Sequence, residues 1–218
     1  MQWPNLVGKV RIQPPQGKWH EWKQAIADHC AGRCVYCAIP EGRFGGIRNF
    51  HIEHFRPKSK FPKLENDIGN LYLACAICNV LKSDDWPAEP VADHSLATYP
   101  DPLRTDYNAV FVISSTTYEV GSPTVAGKYL VERVLLNRAQ LIMERRLAAM
   151  FSSLAEFDAW VSASISSMTS EEMKTTVAVL QEISRVQTKT LEARPYRDLD
   201  TKRSSSSPRR TRKRPNVR

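Results

Sequence analysis

Two Cys-x-x-Cys pairs, Cys34 with Cys37 and Cys75 with Cys78, constrain this chain more than any other feature. Each pair can form a knuckle presenting two thiolates, and two knuckles together offer four sulfurs to one tetrahedral Zn²⁺. The 37 residues between the pairs exceed ordinary zinc-ribbon spacing, so an element with its own task is expected between the halves of the clamp. A dithiol redox site is the competing reading, but neither pair sits in a thioredoxin-like strand and helix context. With sulfur at all four positions a bound zinc has no place for water and is structural rather than catalytic. Structural zinc contributes on the order of 10–16 kcal/mol to the folding of small peptides, enough to hold an otherwise weak hairpin. The fifth cysteine, Cys30, precedes Cys34 by four residues and is expected to fill a helix face rather than bind metal.

Charge has to be read locally. The 218 residues carry a formal +8, but the last eighteen hold eight basic side chains and no acid, so 1–200 is neutral. The run from Arg209 through Arg210, Arg212 and Lys213 to Arg214 reads as a nonspecific phosphate-binding tail or as a solvated terminus. Within 33–63, seven basic residues stand against Glu41 and Glu53, and the stretch after Lys82 turns acidic, which predicts a groove with one basic wall. No apolar run approaches the roughly 18 residues of a membrane span. The first residues lack the apolar segment and cleavage site of a secretory signal, so the reducing cytosol is the expected compartment.

The expected organisation is α+β: an N-terminal segment 1–24, a core at 25–90, an irregular connection 91–124, a helical region 125–192 and a basic disordered tail 193–218. Apolar residues at Trp19, Trp22, Ile26 and Cys30 predict an amphipathic helix over 17–30. Short, partly alternating patterns predict strands at 50–55 and 71–74, joined by a loop containing Pro57, Pro62 and Gly69. Five prolines in 84–124 forbid long helices there, and a strand is expected at 109–114. Beyond Pro123 the pattern becomes helical: 125–136, a break with an N-cap at Asn137, then 138–160. A third helix opens on the capping box of Thr169 and Glu172 and carries Met173, Val177, Leu180, Ile183 and Val186 on one apolar face. These helices read either as a bundle covering the core or as a docking surface.

Between the cysteine pairs lies the run from His51, Ile52, Glu53 and His54 to Phe55, Arg56, Pro57 and Lys58, and around the second pair lie Asn70, Leu71, Asn79 and Lys82. A cysteine pair, an acid-His dyad followed by proline, an Asn-Leu, then Cys-x-x-Cys-Asn-x-x-Lys resembles the HNH endonucleases of the ββα-metal superfamily. The resemblance covers about 30–86, a quarter of the chain. Its finer phrasing looks most like the small HNH proteins encoded beside ATPases in bacterial antiphage systems such as Septu and certain retrons. It implies a zinc-clamped ββα-metal core with a helical C-terminal half, and an ATPase partner that restrains or delivers the nuclease through those helices.

Phosphodiester hydrolysis needs an activated water and a cation for the growing phosphate charge. A neutral imidazole accepts a proton near pH 7, which makes His54 the candidate general base. Glu53 and His54 are neighbours on a strand and point to opposite faces, so a bulge or a strand end is required for both to serve one site. The resemblance implies that Glu53 and Asn79 give oxygens to a catalytic Mg²⁺, with Mn²⁺ as a substitute, that Asn70 braces the loop carrying His54, and that Cys34, Cys37, Cys75 and Cys78 hold structural Zn²⁺. The family often has Asp at the Glu53 position and His at the Asn79 position, and the longer carboxylate leaves the coordination open. Arg56, Lys58, Lys60 and Lys82 are the candidate phosphate contacts. His51 reads as an exposed structural histidine, with a metal ligand or phosphate contact as alternatives. The expected activity is Mg²⁺-dependent cleavage of DNA with little sequence preference, leaving 5′-phosphate and 3′-hydroxyl ends. Its rivals are a noncatalytic zinc module that binds nucleic acid and an RNA-directed nuclease.

Overall fold

The computed structural model of the chain describes residues 2–11, 14 and 16–192. The basic run 209–214 and the rest of 193–218 lie outside the described residues. Strand β1 (Phe50–His54) pairs antiparallel with β2 (Leu71–Cys75) in a regular register from Phe50 opposite Cys75 to His54 opposite Leu71. Every residue of β2 is buried, between the helix α1 (Lys23–His29) and the helix α2 (Ala76–Lys82) that follows it directly. The amphipathic pattern expected over 17–30 divides in two. A 3-10 turn at Trp19–Glu21 precedes α1, and Trp22 and Ile26 bury their side chains in the core. Cys30 closes α1 and its sulfur accepts from the Leu73 amide at 3.4 Å, away from the other four cysteines.

Three local expectations change. The strand expected at 109–114 is a one-turn helix, α3 (Tyr107–Val110), followed by β3 (Val112–Ile113), which pairs with β4 (Val120–Gly121). Asp106 accepts from the Asn108 amide at 3.0 Å and so nucleates the turn, which leaves few residues to pair. Helix α4 (Val125–Arg133) starts on a Thr124 cap. Asn137 is not the next cap: its amide bonds the Val120 N–H at 2.7 Å and the Val120 carbonyl at 2.9 Å, like a further strand residue on β4, and Arg138 takes the N-cap place of α5 (Ala139–Ser164). The capping box of α6 (Ser170–Glu192) forms, with Thr169 Oγ1 accepting from the Glu172 amide and Glu172 accepting from the Thr169 amide at 2.7 Å. The apolar face of α6 is left largely uncovered, however. Met173, Val177, Leu180 and Val186 are 40–48% exposed.

One cluster of buried side chains runs from Trp3 and Leu6 through the hairpin and Tyr99 to Leu130, Leu136 and Leu141. The N-terminal segment joins it because the Trp3 indole donates to the Tyr36 carbonyl at 2.8 Å. Helix α5 reaches the core only through its first turns, at Leu141, Glu144, Arg145 and Leu147. Beyond Leu147, Thr176 is the one buried side chain among those described on α5 and α6. No helix among the described residues is long and apolar enough to cross a membrane.

Candidate functional site

The four knuckle cysteines meet. Their sulfurs all lie within 4.8 Å of one another and all four residues are buried. A tetrahedron with Zn–S bonds of about 2.3 Å has sulfurs about 3.8 Å apart, and Cys37 and Cys75 are separated by 3.8 Å. Local backbone sets the cage. The Cys34 amide donates to the Ile39 carbonyl at 3.0 Å, the Ala38 amide returns to Cys34 at 2.9 Å, and Ala38 takes a positive φ of 59° to close the first knuckle. Cys75 caps α2, with its sulfur accepting from the Cys78 amide at 3.5 Å. Four buried sulfurs this close to one another form a donor set that fits a tetrahedral thiophilic ion.

The first knuckle also positions the candidate acid. Val35 donates to the Leu73 carbonyl at 2.8 Å and pins the knuckle to β2, which places the Tyr36 hydroxyl 3.1 Å from Glu53 Oε1. Lys82 Nζ lies 2.7 Å from the same oxygen and also donates to the His54 carbonyl at 3.2 Å. Burial pushes the Glu53 carboxyl up, and Lys82 and Tyr36 oppose it. Glu53, His54 and Asn79 line one open cleft of about 430 Å³, together with Trp19, His51 and Lys58. The register holds through His54 without a bulge, and His54 is the last residue of β1, so strand alternation no longer separates it from Glu53.

His54 Nε2 lies 3.0 Å from the Glu65 carbonyl. A carbonyl only accepts, so Nε2 carries the proton and Nδ1 keeps its lone pair. Burial holds the imidazole below its ordinary value of 6.5, against the Glu65 carbonyl, which raises it. Trp19 meets the His54 ring edge-on at 5.0 Å between centroids, and the Trp19 indole donates to Glu65 Oε1 at 3.2 Å. Asn70 holds the loop after His54: its Oδ1 accepts from the Arg56 amide at 2.8 Å, and its Nδ2 donates to the carbonyls of Arg56 at 3.0 Å and Leu64 at 3.3 Å.

The basic residues separate. Lys58 lines the cleft, 4.5 Å above the Trp19 ring. Arg56 is turned to Glu89 at 2.9 and 3.0 Å, over Trp86. Lys60 donates to the Trp86 carbonyl at 3.3 Å. Lys82 is 0% exposed, which corrects its expected place at a phosphate, because the buried Glu53 carboxylate needs a counter-charge. The pairs of Arg43 with Glu144, Arg56 with Glu89 and Lys58 with Glu65, the last at 3.4 Å, draw on the basic wall expected over 33–63. The sequence reading missed Trp19, Tyr36 and Glu65, whose roles depend on chain segments brought together from a distance. It also missed Arg138, which lies against the thiolates. Two other cavities, of about 410 Å³ each, lie along α5 and α6.

No curated protein and no solved structure matches the chain. The family model for HNH endonuclease matches residues 34–85, the segment that starts at the first clamp cysteine and ends beyond α2.

Proposed function

We propose that this chain is a ββα-metal endonuclease that hydrolyses DNA phosphodiester bonds with little sequence preference. The observation that carries the reading is the meeting of Glu53, His54 and Asn79 in one cleft, with His54 held in the tautomer that leaves Nδ1 basic. A hard divalent cation, Mg²⁺ or Mn²⁺, bound by the Glu53 carboxylate and the Asn79 amide oxygen would supply charge neutralisation at the phosphate. His54 Nδ1 takes the proton of the attacking water, and the Glu65 carbonyl stabilises the imidazolium that results. Asn70 fixes the loop on which that carbonyl and Lys58 depend. Lys58 meets the DNA backbone, and with no base-reading set beside it the contact is sequence-tolerant. Zn²⁺ in the four-cysteine cage would be structural.

The test is nicking of supercoiled plasmid in Mg²⁺ by wild type and His54→Ala of equal zinc content. A general base contributes about 10²–10⁴-fold, so a loss of that size is expected. Equal nicking by both proteins would overturn the reading. One observation favours a noncatalytic nucleic-acid-binding module: Glu53 Oε1 is already bonded to Lys82 and Tyr36. That alternative predicts DNA binding without Mg²⁺-dependent cleavage of DNA or RNA. The role as nuclease component of a bacterial antiphage system, in the cytoplasm and governed by an ATPase, is supported by the sequence resemblance and by the uncovered apolar side chains of α5 and α6. Co-purification with the product of an adjacent ATPase gene tests it, and the absence of a complex would count against it.

A further inference from the structure

Arg138 stands at the N-cap of α5, where a side chain ordinarily turns to the helix amides, yet it makes no cap bond. Its guanidinium turns back to the cysteine cage instead. Nη1 lies 3.7 Å from Cys78 Sγ, and Nη2 lies 3.6 Å from Cys78, 3.8 Å from Cys37 and 3.8 Å from Cys75. Nη1 also donates to the carbonyls of Val134 at 3.0 Å and Leu135 at 3.3 Å, which close α4. Seven residues on, Arg145 is 2% exposed and donates instead to the Tyr118 carbonyl and, at 3.0 Å, to the Leu136 carbonyl. Four thiolates around a divalent ion carry a formal charge of −2, and the Arg138 guanidinium lies against it. A planar fork reaches several sulfurs at once, as an ammonium cannot.

We propose that Arg138 is an outer-sphere member of the metal centre: it donates to three of the four thiolates and so fastens the start of α5 to the nuclease core. Metal retention and docking of the helical half are then coupled through one side chain. The bland competitor is that Arg138 serves only the end of α4 through the Val134 and Leu135 carbonyls. That role predicts a local loosening of α4 and no change at the metal.

The inference rests on the reading of the cage as a metal site, and elemental analysis of the full-length wild type tests that reading by itself: a protein that takes up no metal sinks both. On metal-loaded protein, Arg138→Met is expected to release zinc to a chelator about 10–100-fold faster than wild type, the usual cost of losing a partner of the ligands. Arg138→Lys, which keeps the charge but not the fork, should fall between, and it serves should the first variant fail to fold. In cobalt-loaded protein, removing donors from the sulfurs is expected to move the thiolate-to-metal charge-transfer band to longer wavelength. Hydrogen exchange should show 139–147 less protected in Arg138→Met. Arg146→Met, which removes a charge from the exposed side of the same helix, should match wild type in every readout. Release at the wild-type rate with an unmoved band in both Arg138 variants would overturn the proposal and leave the metal reading intact.

Discussion

A carboxylate that is 4% exposed and a lysine that is 0% exposed face each other at 2.7 Å beneath the cleft. Neither charge is tolerable there alone, since burial costs each ion several kcal/mol that only its partner offsets. Lys82→Met is therefore expected to destabilise the protein by about 3–5 kcal/mol, because Glu53 is left uncompensated. Adding Glu53→Gln should recover more than half of that loss. Urea unfolding of the four proteins at pH 7 measures the cycle. Additive losses would mean that the two residues act independently. The same pair explains why Lys82 resisted reading from sequence. A lysine at the end of a short helix after a basic loop resembles a phosphate contact, and its burial depends on how β1 lies over α2.

At the scale of elements, one carboxylate adds a polar tie between α4 and the core to the burial of Leu130. Asp85 Oδ2 accepts from Tyr99 at 2.8 Å, from Arg133 at 2.9 Å and from Tyr129. Burial pushes the Asp85 carboxyl up, but the bonds from Tyr129, Tyr99 and Arg133 outweigh it and hold the group below its ordinary 3.8. A folded value below the unfolded one adds stability above the unfolded value and loses it as pH falls through the folded one. Asp85→Asn should thus be less stable than wild type by about 1–3 kcal/mol at pH 7. That difference should shrink towards zero as denaturation is followed below pH 3.8. A difference independent of pH would show that the charge is not what holds α4. Elements written in local signals were readable in advance: the two strands, the capping box at Thr169 and the absence of long helices in 84–124. The strand at 109–114 failed because a single Asp106 cap outcompetes a weak β pattern, and Asn137 failed because its amide found the β4 backbone first.

For the whole molecule, the sequence carries a large basic surplus in 201–218, but in the described structure four of the eight basic residues of the core, Arg43, Arg56, Lys58 and Lys82, pair with acids. Lys58 lines the cleft and Lys60 is turned to the Trp86 carbonyl. If DNA occupies the cleft, Lys58→Ala should lower the slope of log affinity against log salt by about 0.9, while Lys60→Ala leaves it unchanged. Binding titrations over a salt series decide this, and equal slopes in wild type and Lys58→Ala would remove Lys58 from the interface. The long α5 and α6 have no comparable reading in sequence. Their apolar stripes were legible, yet what covers them is a matter of neighbours, and 44–52% of Phe151, Trp160 and Met173 remains in water.

The sequence by itself determined the two cysteine pairs and the two strands between them, because knuckle spacing and strand alternation are written within a few residues, whereas Glu53, Asn70 and Asn79 became candidates beside His54 through the family resemblance. Tertiary structure alone decided which charges face the cleft and which are buried, that Trp19, Tyr36 and the Glu65 carbonyl complete the surroundings of the dyad, and that Arg138 turns to the thiolates. Those outcomes depend on burial and on partners 11 to 101 residues distant, and desolvation has no local signature in a chain.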